Sequence, residues 1–459
     1  MRNLKIFFSL LIAVTIISAC QKDFLERTPL SAISDTDYWN TENDLRLYVN
    51  NFYNTLPSYI GAFGTLGIYS EDEGQGSDNM IYRDYNRMLN GETTVPSSGG
   101  GWTYADWASI RSANYFLSNY QKASGTQDVI NKYLGEALFF KAWYYYAKLK
   151  TFGDLPWISS SVTITDSAIL YAPRLSRTIV ADSIISILDK AIAYLPAKGS
   201  TLYENFRIHK EIAAAFQSRV ALYEGTWEKY HAGTVFGVAG SNGTKFLQKA
   251  VDAAQLVITS GKFDIDNTGQ PNAYWKLFNQ TSYDASKEVM FWRKYNATDG
   301  NYTIIARTMT NGAGRGITKS LIDAYLCADG KPISVSTQYQ GDATLVNVAT
   351  NRDPRLSQTL QINDGNHYLS DTAKFMHPAW DGAAEDKNYT GYQIYKGLIL
   401  DPNQKLVGQG TQGLILFRYA EVLLNLVEAK AELGQATQAD VDATINKLRN
   451  RVGMTPLTI

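Results

Sequence analysis

The sequence predicts a mainly α-helical protein, with a tetratricopeptide-like scaffold of paired helices and an irregular, loop-rich insert. Three observations lead there. Apolar residues recur at helical spacing through most of 34–263. Small residues occupy the positions where such helices would touch, and the periodicity stops at 264 and returns at 414.

In chain order, Ser34-Asp35-Thr36-Asp37 precede a helical pattern that runs through Tyr53. The stretch 61–106 is polar and rich in glycine, with Gly99-Gly100-Gly101, and reads as a loop. Ile110, Ala113, Leu117 and Tyr120 then recur at spacings of 3, 4 and 3. Leu134, Leu138, Ala142, Tyr145 and Leu149 form the next stripe, stopped by Phe152-Gly153-Asp154-Leu155-Pro156. A third stripe follows Val180, Ile184, Ile187, Ala191 and Leu195 and closes at Pro196. Two more helices run over 210–223 and 246–258, the second closed by Gly261. The pairs repeat about every 35 to 45 residues, and Ala213, Ala214, Ala215, Ala250, Ala253 and Ala254 would let them approach closely. From 264 to 413 the chain breaks into turns, short strand-like pieces and aromatic loops. The scaffold returns over 414–459, first as Tyr419, Val422, Leu426, Ala429 and Leu433, then as a helix over 441–451.

The amino terminus carries a different signal. Arg2 and Lys5 precede an apolar run over 6–17, which Ile17-Ser18-Ala19-Cys20 closes with small residues before a cysteine. That order is an export signal over 1–19, too short and one-sided for a membrane-spanning helix. A cysteine at the cut site marks a bacterial lipoprotein, so Cys20 is expected to be acylated at the head of an arm over 20–33. Two or three acyl chains tether a protein stably without taking it across the bilayer. Bulk composition narrows the rest. A net charge of -1 with no basic cluster gives no footprint for nucleic acid. There are two cysteines, and with Cys20 lipidated Cys327 has no partner, so stability rests on the core without a disulfide. The 30 Tyr and 9 Trp against 18 Phe favour rings with a polar handle, which suit half-wet surfaces as well as helix packing.

Several segments together resemble the SusD/RagB family of outer-membrane nutrient-binding lipoproteins. They are Cys20-Gln21-Lys22-Asp23-Phe24-Leu25 with Pro29, Trp39 with Glu42, and Ile110-Arg111-Ser112-Ala113-Asn114. Tyr133-Leu134-Gly135-Glu136-Ala137 and the Gly153-Asp154-Leu155-Pro156 stop follow, then Arg219, Asp323-Ala324-Tyr325 with Asp329-Gly330, and Arg352-Asp353-Pro354-Arg355. Phe417-Arg418-Tyr419-Ala420-Glu421-Val422-Leu423-Leu424-Asn425 and Asn446 with Arg449 and Arg451 complete the set. Each motif alone is weak; their order over almost the whole mature chain is specific. The resemblance implies a tetratricopeptide-like scaffold, a loop-rich face for ligand, and a SusC-like TonB-dependent transporter over which the lipoprotein sits as a hinged lid. It also implies a place at the outer membrane, and Gln21-Lys22-Asp23 looks like a signal for export to the cell surface. Family members continue past the Asn-x-x-Arg-x-Arg helix into another helical segment, so the returning scaffold is expected to be truncated here.

The ligand the family implies is an oligosaccharide. A sugar ring offers an apolar C–H face and a rim of hydroxyls, so its site needs exposed aromatic platforms edged by polar side chains. Two loop regions supply them. The first holds Asp78, Asn79, Tyr82 and Tyr85, with Trp102 beyond. The second runs over 274–302 with Trp275, Tyr283, Trp292 and Tyr295, interleaved with Asn279, Gln280, Arg293 and Lys294. A further loop over 366–395 carries His377, Trp380, Tyr389 and Tyr392, suited to ligand or to the transporter. Some of these rings read equally as packing: Trp292 follows Glu288-Val289-Met290 in a strand-like run, where alternation turns one ring inward.

The sequence gives catalysis or a cofactor little to rest on. Glu71-Asp72-Glu73 are neighbours, which seldom face each other across a substrate, and read as a solvated loop, with a bound Ca²⁺ as the minor alternative. The four histidines lack zinc-ligand spacing. Gly312-Ala313-Gly314-Arg315-Gly316 before Lys319-Ser320 misses the phosphate-loop spacing and reads as a turn. Two other readings stay open: a lid of the same architecture for peptide or glycopeptide, and a structural surface protein without a ligand.

Overall fold

The computed structural model describes residues 38–459 except 60–77, 88, 164, 268–270 and 313. The export signal, Cys20 with its arm, and Glu71-Asp72-Glu73 lie outside the described residues. Helix α1 (Glu42–Asn50) opens at Thr41, whose backbone N–H and hydroxyl each lie 2.8 Å from the Asp44 carboxylate. Helices α2 (Ala108–Asn119) and α3 (Gln127–Phe152) follow. The apolar stripe of α3 buries Phe139, Phe140 and Tyr145 completely, and the helix stops at Gly153 with φ +69°, a conformation glycine adopts without penalty. Next come α4 (Arg177–Tyr194), α5 (Lys210–Tyr230) and α6 (Thr244–Thr259). Beyond the insert lie α7 (Tyr419–Glu432), α8 (Gln438–Ala443) and α9 (Ile445–Arg451). The single helix expected over 441–451 is thus divided. At Thr444 the backbone leaves helical geometry (φ -124°, ψ -85°) while the side-chain hydroxyl donates to the Asp440 carbonyl at 2.5 Å.

The scaffold helices pack in chain order, α3 on α4, α4 on α5 and α5 on α6. Gly225 sets the approach of α5 to α6: a Cβ there would lie 2.8 Å from the Leu247 side chain and 2.9 Å from its backbone nitrogen. Buried ion pairs align the helices. Arg177 donates twice to Glu224, at 2.8 and 2.7 Å, between α4 and α5. Arg207 donates twice to Glu136 of α3, at 2.9 and 2.6 Å, and the Tyr53 hydroxyl adds a bond of 2.7 Å. The returning helix α7 lies against α5 and α6. Arg219 and Glu421, 202 residues apart, meet at 2.5 and 2.8 Å, and Asn425 donates to the Ser218 hydroxyl at 3.0 Å. None of the described helices is long and apolar enough to cross a membrane.

Two antiparallel ladders order the insert. Strand β1 (Met80–Tyr82) pairs with β3 (Arg315–Ile317), and β2 (Val289–Arg293) with β4 (Leu414–Arg418). Because β1 comes from the 61–106 loop, part of that loop packs with the insert, whose own core includes Met80, Ile305, Ile317, Leu360 and Leu398. Strand β4 runs directly into α7, and Glu288, one residue before β2, binds the two together. Its fully buried carboxylate accepts from Arg418 and Arg451 at 2.7 Å each and from the Asp266 N–H at 2.9 Å.

Glu288→Gln leaves the buried Arg451 without its counter-charge. The expected loss is about 3–5 kcal/mol of unfolding free energy, read as a lower urea midpoint at pH 7. A second expectation concerns pH. His209 is buried with Nδ1 2.8 Å from Glu211, and burial lowers its pKa below the ordinary histidine value. The unfolded ring takes up a proton below pH ~6.5 while the folded ring resists, so this stabilisation is complete above that pH and fades below it. Urea midpoints at pH 7 and 5 should therefore differ less in His209→Gln than in the parent.

Candidate functional site

The structure brings the first candidate loop against the third, across β3. Met80, Ile81 and Tyr82 pair with Ile317, Gly316 and Arg315. Just before β1, the Asp78 carbonyl accepts from the Thr318 and Ser320 hydroxyls at 2.5 and 3.2 Å, and the Asn79 carbonyl from the Thr318 N–H at 3.0 Å. Both side chains stand at the surface. The Tyr82 ring is half-buried, with the guanidinium of Arg315 5.0 Å and that of Arg83 5.4 Å from its centre. Gly316 is required here, because a Cβ would lie 2.1 Å from the Thr390 hydroxyl. Gly312 and Gly314 accordingly lie in a turn that feeds the strand beginning at Arg315.

Asn388 then fastens the third loop to β3. Its amide donates to the Arg315 carbonyl at 2.8 Å and accepts from the Gly391 N–H at 2.7 Å, while its backbone N–H reaches the Ala379 carbonyl at 2.6 Å. That last bond positions Trp380, which stacks on His377 at 5.3 Å with planes 2° apart. Trp380 is 53% exposed, Tyr389 41% and Tyr85 65%. Tyr85 is steadied by a 2.7 Å bond from its hydroxyl to Glu92, which also raises the phenol pKa. The face therefore combines rings open to solvent with hydroxyl and amide groups fixed by backbone bonds.

The second candidate region behaves differently. Tyr283, Trp292 and Tyr295 are only 2%, 6% and 3% exposed and present no ring face to a ligand. Their burial corrects the expectation of a platform there. β2 has β4 beside it, register irregularities at Phe291, and cover on both sides, so Phe291 and Trp292 are both buried and the expected alternation fails. Trp292 packs edge-on to Tyr283 at 5.4 Å and to Phe206 at 5.3 Å; the Tyr295 hydroxyl accepts from the Tyr59 N–H at 2.5 Å. Trp275 is half-buried. It stacks on Tyr395 at 4.8 Å, donates from its indole to the Tyr395 carbonyl at 3.1 Å, and leaves an edge lining a cavity of about 680 Å³ beside Asn279, Gln280 and Gln404.

A feature with no sequence motif is a cavity of about 620 Å³ whose lining includes Trp102, Tyr104, Trp107, Arg111 and Ser161. Trp102 packs edge-on to Trp107 and Phe152, and Arg111 covers Tyr104 at 3.5 Å. Its lining is scattered from Tyr48 to Leu170, which hides it from any local pattern. Among the described residues no cluster of three or more His, Cys, Asp or Glu could hold a metal ion.

Comparison with known proteins bears on this architecture. The family described as "SusD family" matches residues 274–459, and the one described as "Starch-binding associating with outer membrane" matches residues 23–222. A SusD-like protein, P2, of Formosa agariphila is 24% identical, with the alignment covering 100% of this chain and 84% of the relative. A SusD-like protein of Bacteroides fragilis superimposes with a TM-score of 0.72 at 24% identity, over 94% of this chain and 83% of that one. A SusD-like carbohydrate binding protein of the same species gives 0.70 at 20% identity, over 92% and 81%. These superpositions establish the mainly helical, tetratricopeptide-like architecture. With family matches on both parts of the scaffold and on most of the insert, the chain belongs to the SusD/RagB family.

Proposed function

We propose that this protein binds oligosaccharide at the outer membrane, held there by a lipid on Cys20, and passes it to a SusC-like TonB-dependent transporter. Membership of the family supports carbohydrate binding and outer-membrane association at the family level. The observation that carries the reading further is the convergence of 78–85, 315–320 and 377–392 on one surface. Its exposed rings, Trp380 and Tyr389 foremost, can take the C–H face of a pyranose, and Asp78, Asn79 and Thr390 lie near enough in the fold to meet hydroxyls. Trp275, at the edge of its polar cavity, is the remaining candidate from the second region. Binding of this kind calls for no tuned acid or base, so the reading assigns no catalytic residue.

Calorimetric titration with a panel of polysaccharides tests it, expecting saturable binding to at least one. Trp380→Ala and Tyr389→Ala should each weaken that binding about tenfold, near 1.4 kcal/mol, with the melting temperature unchanged. Trp292→Ala should behave in the opposite way, losing about 3–5 kcal/mol of stability and keeping affinity in the folded fraction. Unchanged affinity in both surface variants would remove the site from this face. In cells, deleting the partner transporter should abolish uptake and leave binding by the purified lipoprotein intact.

A further inference from the structure

The cavity beside α2 holds a charge and an acceptor that the described residues leave unanswered. Trp102, Tyr104, Ile169 and Leu170, all exposed, set its mouth, and Ile110 and Asn114 lie buried within. At about 620 Å³, walled mainly by aromatic and aliphatic side chains, it has the size and character of a small-molecule pocket. Its described lining takes nothing from 78–85, 315–320 or 377–392, so it is separate from the loop face.

Arg111 is the one charged side chain in that described lining, and it is half-buried. Its guanidinium lies 3.5 Å from the centre of the Tyr104 ring, and its Nη1 donates to the Tyr104 carbonyl, a neutral acceptor, at 2.7 Å. No carboxylate pairs with it among the described residues. The carboxylates that flank the lining in sequence are engaged elsewhere, Asp106 by Thr103 and Asp166 by Thr163. Three residues further along α2, Asn114 is 1% exposed. Its Nδ2 donates to the Ile158 carbonyl at 3.0 Å, and its Oδ1 has no hydrogen-bond partner. A buried acceptor without a donor is unfavourable. Residues three apart share a helix face, so the cavity offers a cationic fork near its mouth and an acceptor at its inner end.

Those features select the ligand. A sugar set among Ile110, Ile158, Val162 and Leu170 would lose water from its hydroxyls with little in exchange. The wall hydroxyls of Ser112, Ser161 and Thr163 are already engaged, by Tyr48, Ser118 and Asp166. A flat aromatic body loses less on entering and gains apolar contact. A carboxylate on that body matches the guanidinium fork, and a hydroxyl or N–H at its far end matches the free acceptor.

We propose that this cavity binds a small aromatic carboxylic acid, its carboxylate on Arg111 and a donor at its other end on the Asn114 Oδ1. The site does not depend on the glycan reading of the loop face.

The test is calorimetry on the chain from Gln21 onward, with 2-naphthoate, the neutral 2-naphthalenemethanol and 6-hydroxy-2-naphthoate as probes. Saturable binding of 2-naphthoate is expected, about tenfold tighter than that of the alcohol, and tighter again with the 6-hydroxyl. Arg111→Gln should weaken 2-naphthoate about tenfold and leave the alcohol unchanged. Leu170→Ser, on the exposed edge of the mouth, should weaken both probes. Should Arg111→Gln fail to fold, the comparison of acid with alcohol in the parent decides together with Leu170→Ser. Absence of saturable binding by 2-naphthoate overturns the site. Equal affinity for acid and alcohol overturns it too, as apolar partitioning only. Unchanged binding in both variants places the ligand elsewhere and has the same effect. No gain from the 6-hydroxyl strikes Asn114 from the proposal.

Discussion

The attachment of the insert to the scaffold turns on a single carboxylate. Glu288 is fully buried, and its two oxygens meet an arginine from the strand that leads into α7 and another from α9. Its backbone carbonyl accepts from the Tyr419 N–H at 2.9 Å, the first residue of α7. One residue thus sets β2 against β4, starts a scaffold helix and seats the last one. Burying a carboxylate is worthwhile only with its partners in place, so this contact favours one arrangement over near alternatives more than it adds raw stability.

The loop face is built outward from that anchor. β2 and β4 support the insert core, the core supports β3, and β3 holds β1 on one side and the Asn388 loop beside it. The rings at the outer end are therefore carried on a layered base. That base sacrifices side-chain freedom where it matters: Gly316 leaves no room between strand and Thr390, and Asn388 spends its amide on backbone groups. Exposed rings on fixed backbone bind with less ordering entropy than rings on loose loops.

The helices were legible because burial writes a local period into the sequence. Leu134 to Leu149 and Val180 to Ala191 each lie on one helix, and Phe152-Gly153 stops α3 where expected. The break at Thr444 was hidden, since the residues on either side of it keep the helical spacing. Trp292 illustrates what composition cannot say about a site. A ring between polar neighbours reads as a platform, yet pairing with β4 and cover from Phe206 bury it, and both facts come from residues far away in sequence. By contrast Tyr82, Trp380 and Tyr389 were named from their loops alone, but only the ladder between β1 and β3 shows that those loops share a surface.

The contact of α7 with α5 and α6 also orders events in time. A chain emerging from its amino terminus can close α3 to α6 by short-range hairpins, because each helix pairs with the next. Arg219 and Ser218 must then wait for partners some 200 residues downstream. During that wait a flank of α5 and α6 stays wet and apolar, and loop closure over such a span is slow. The half-made scaffold is accordingly the species most exposed to aggregation and proteolysis. Chaperones that hold the chain open until α7 is available would protect it at the stage where its own contacts do not.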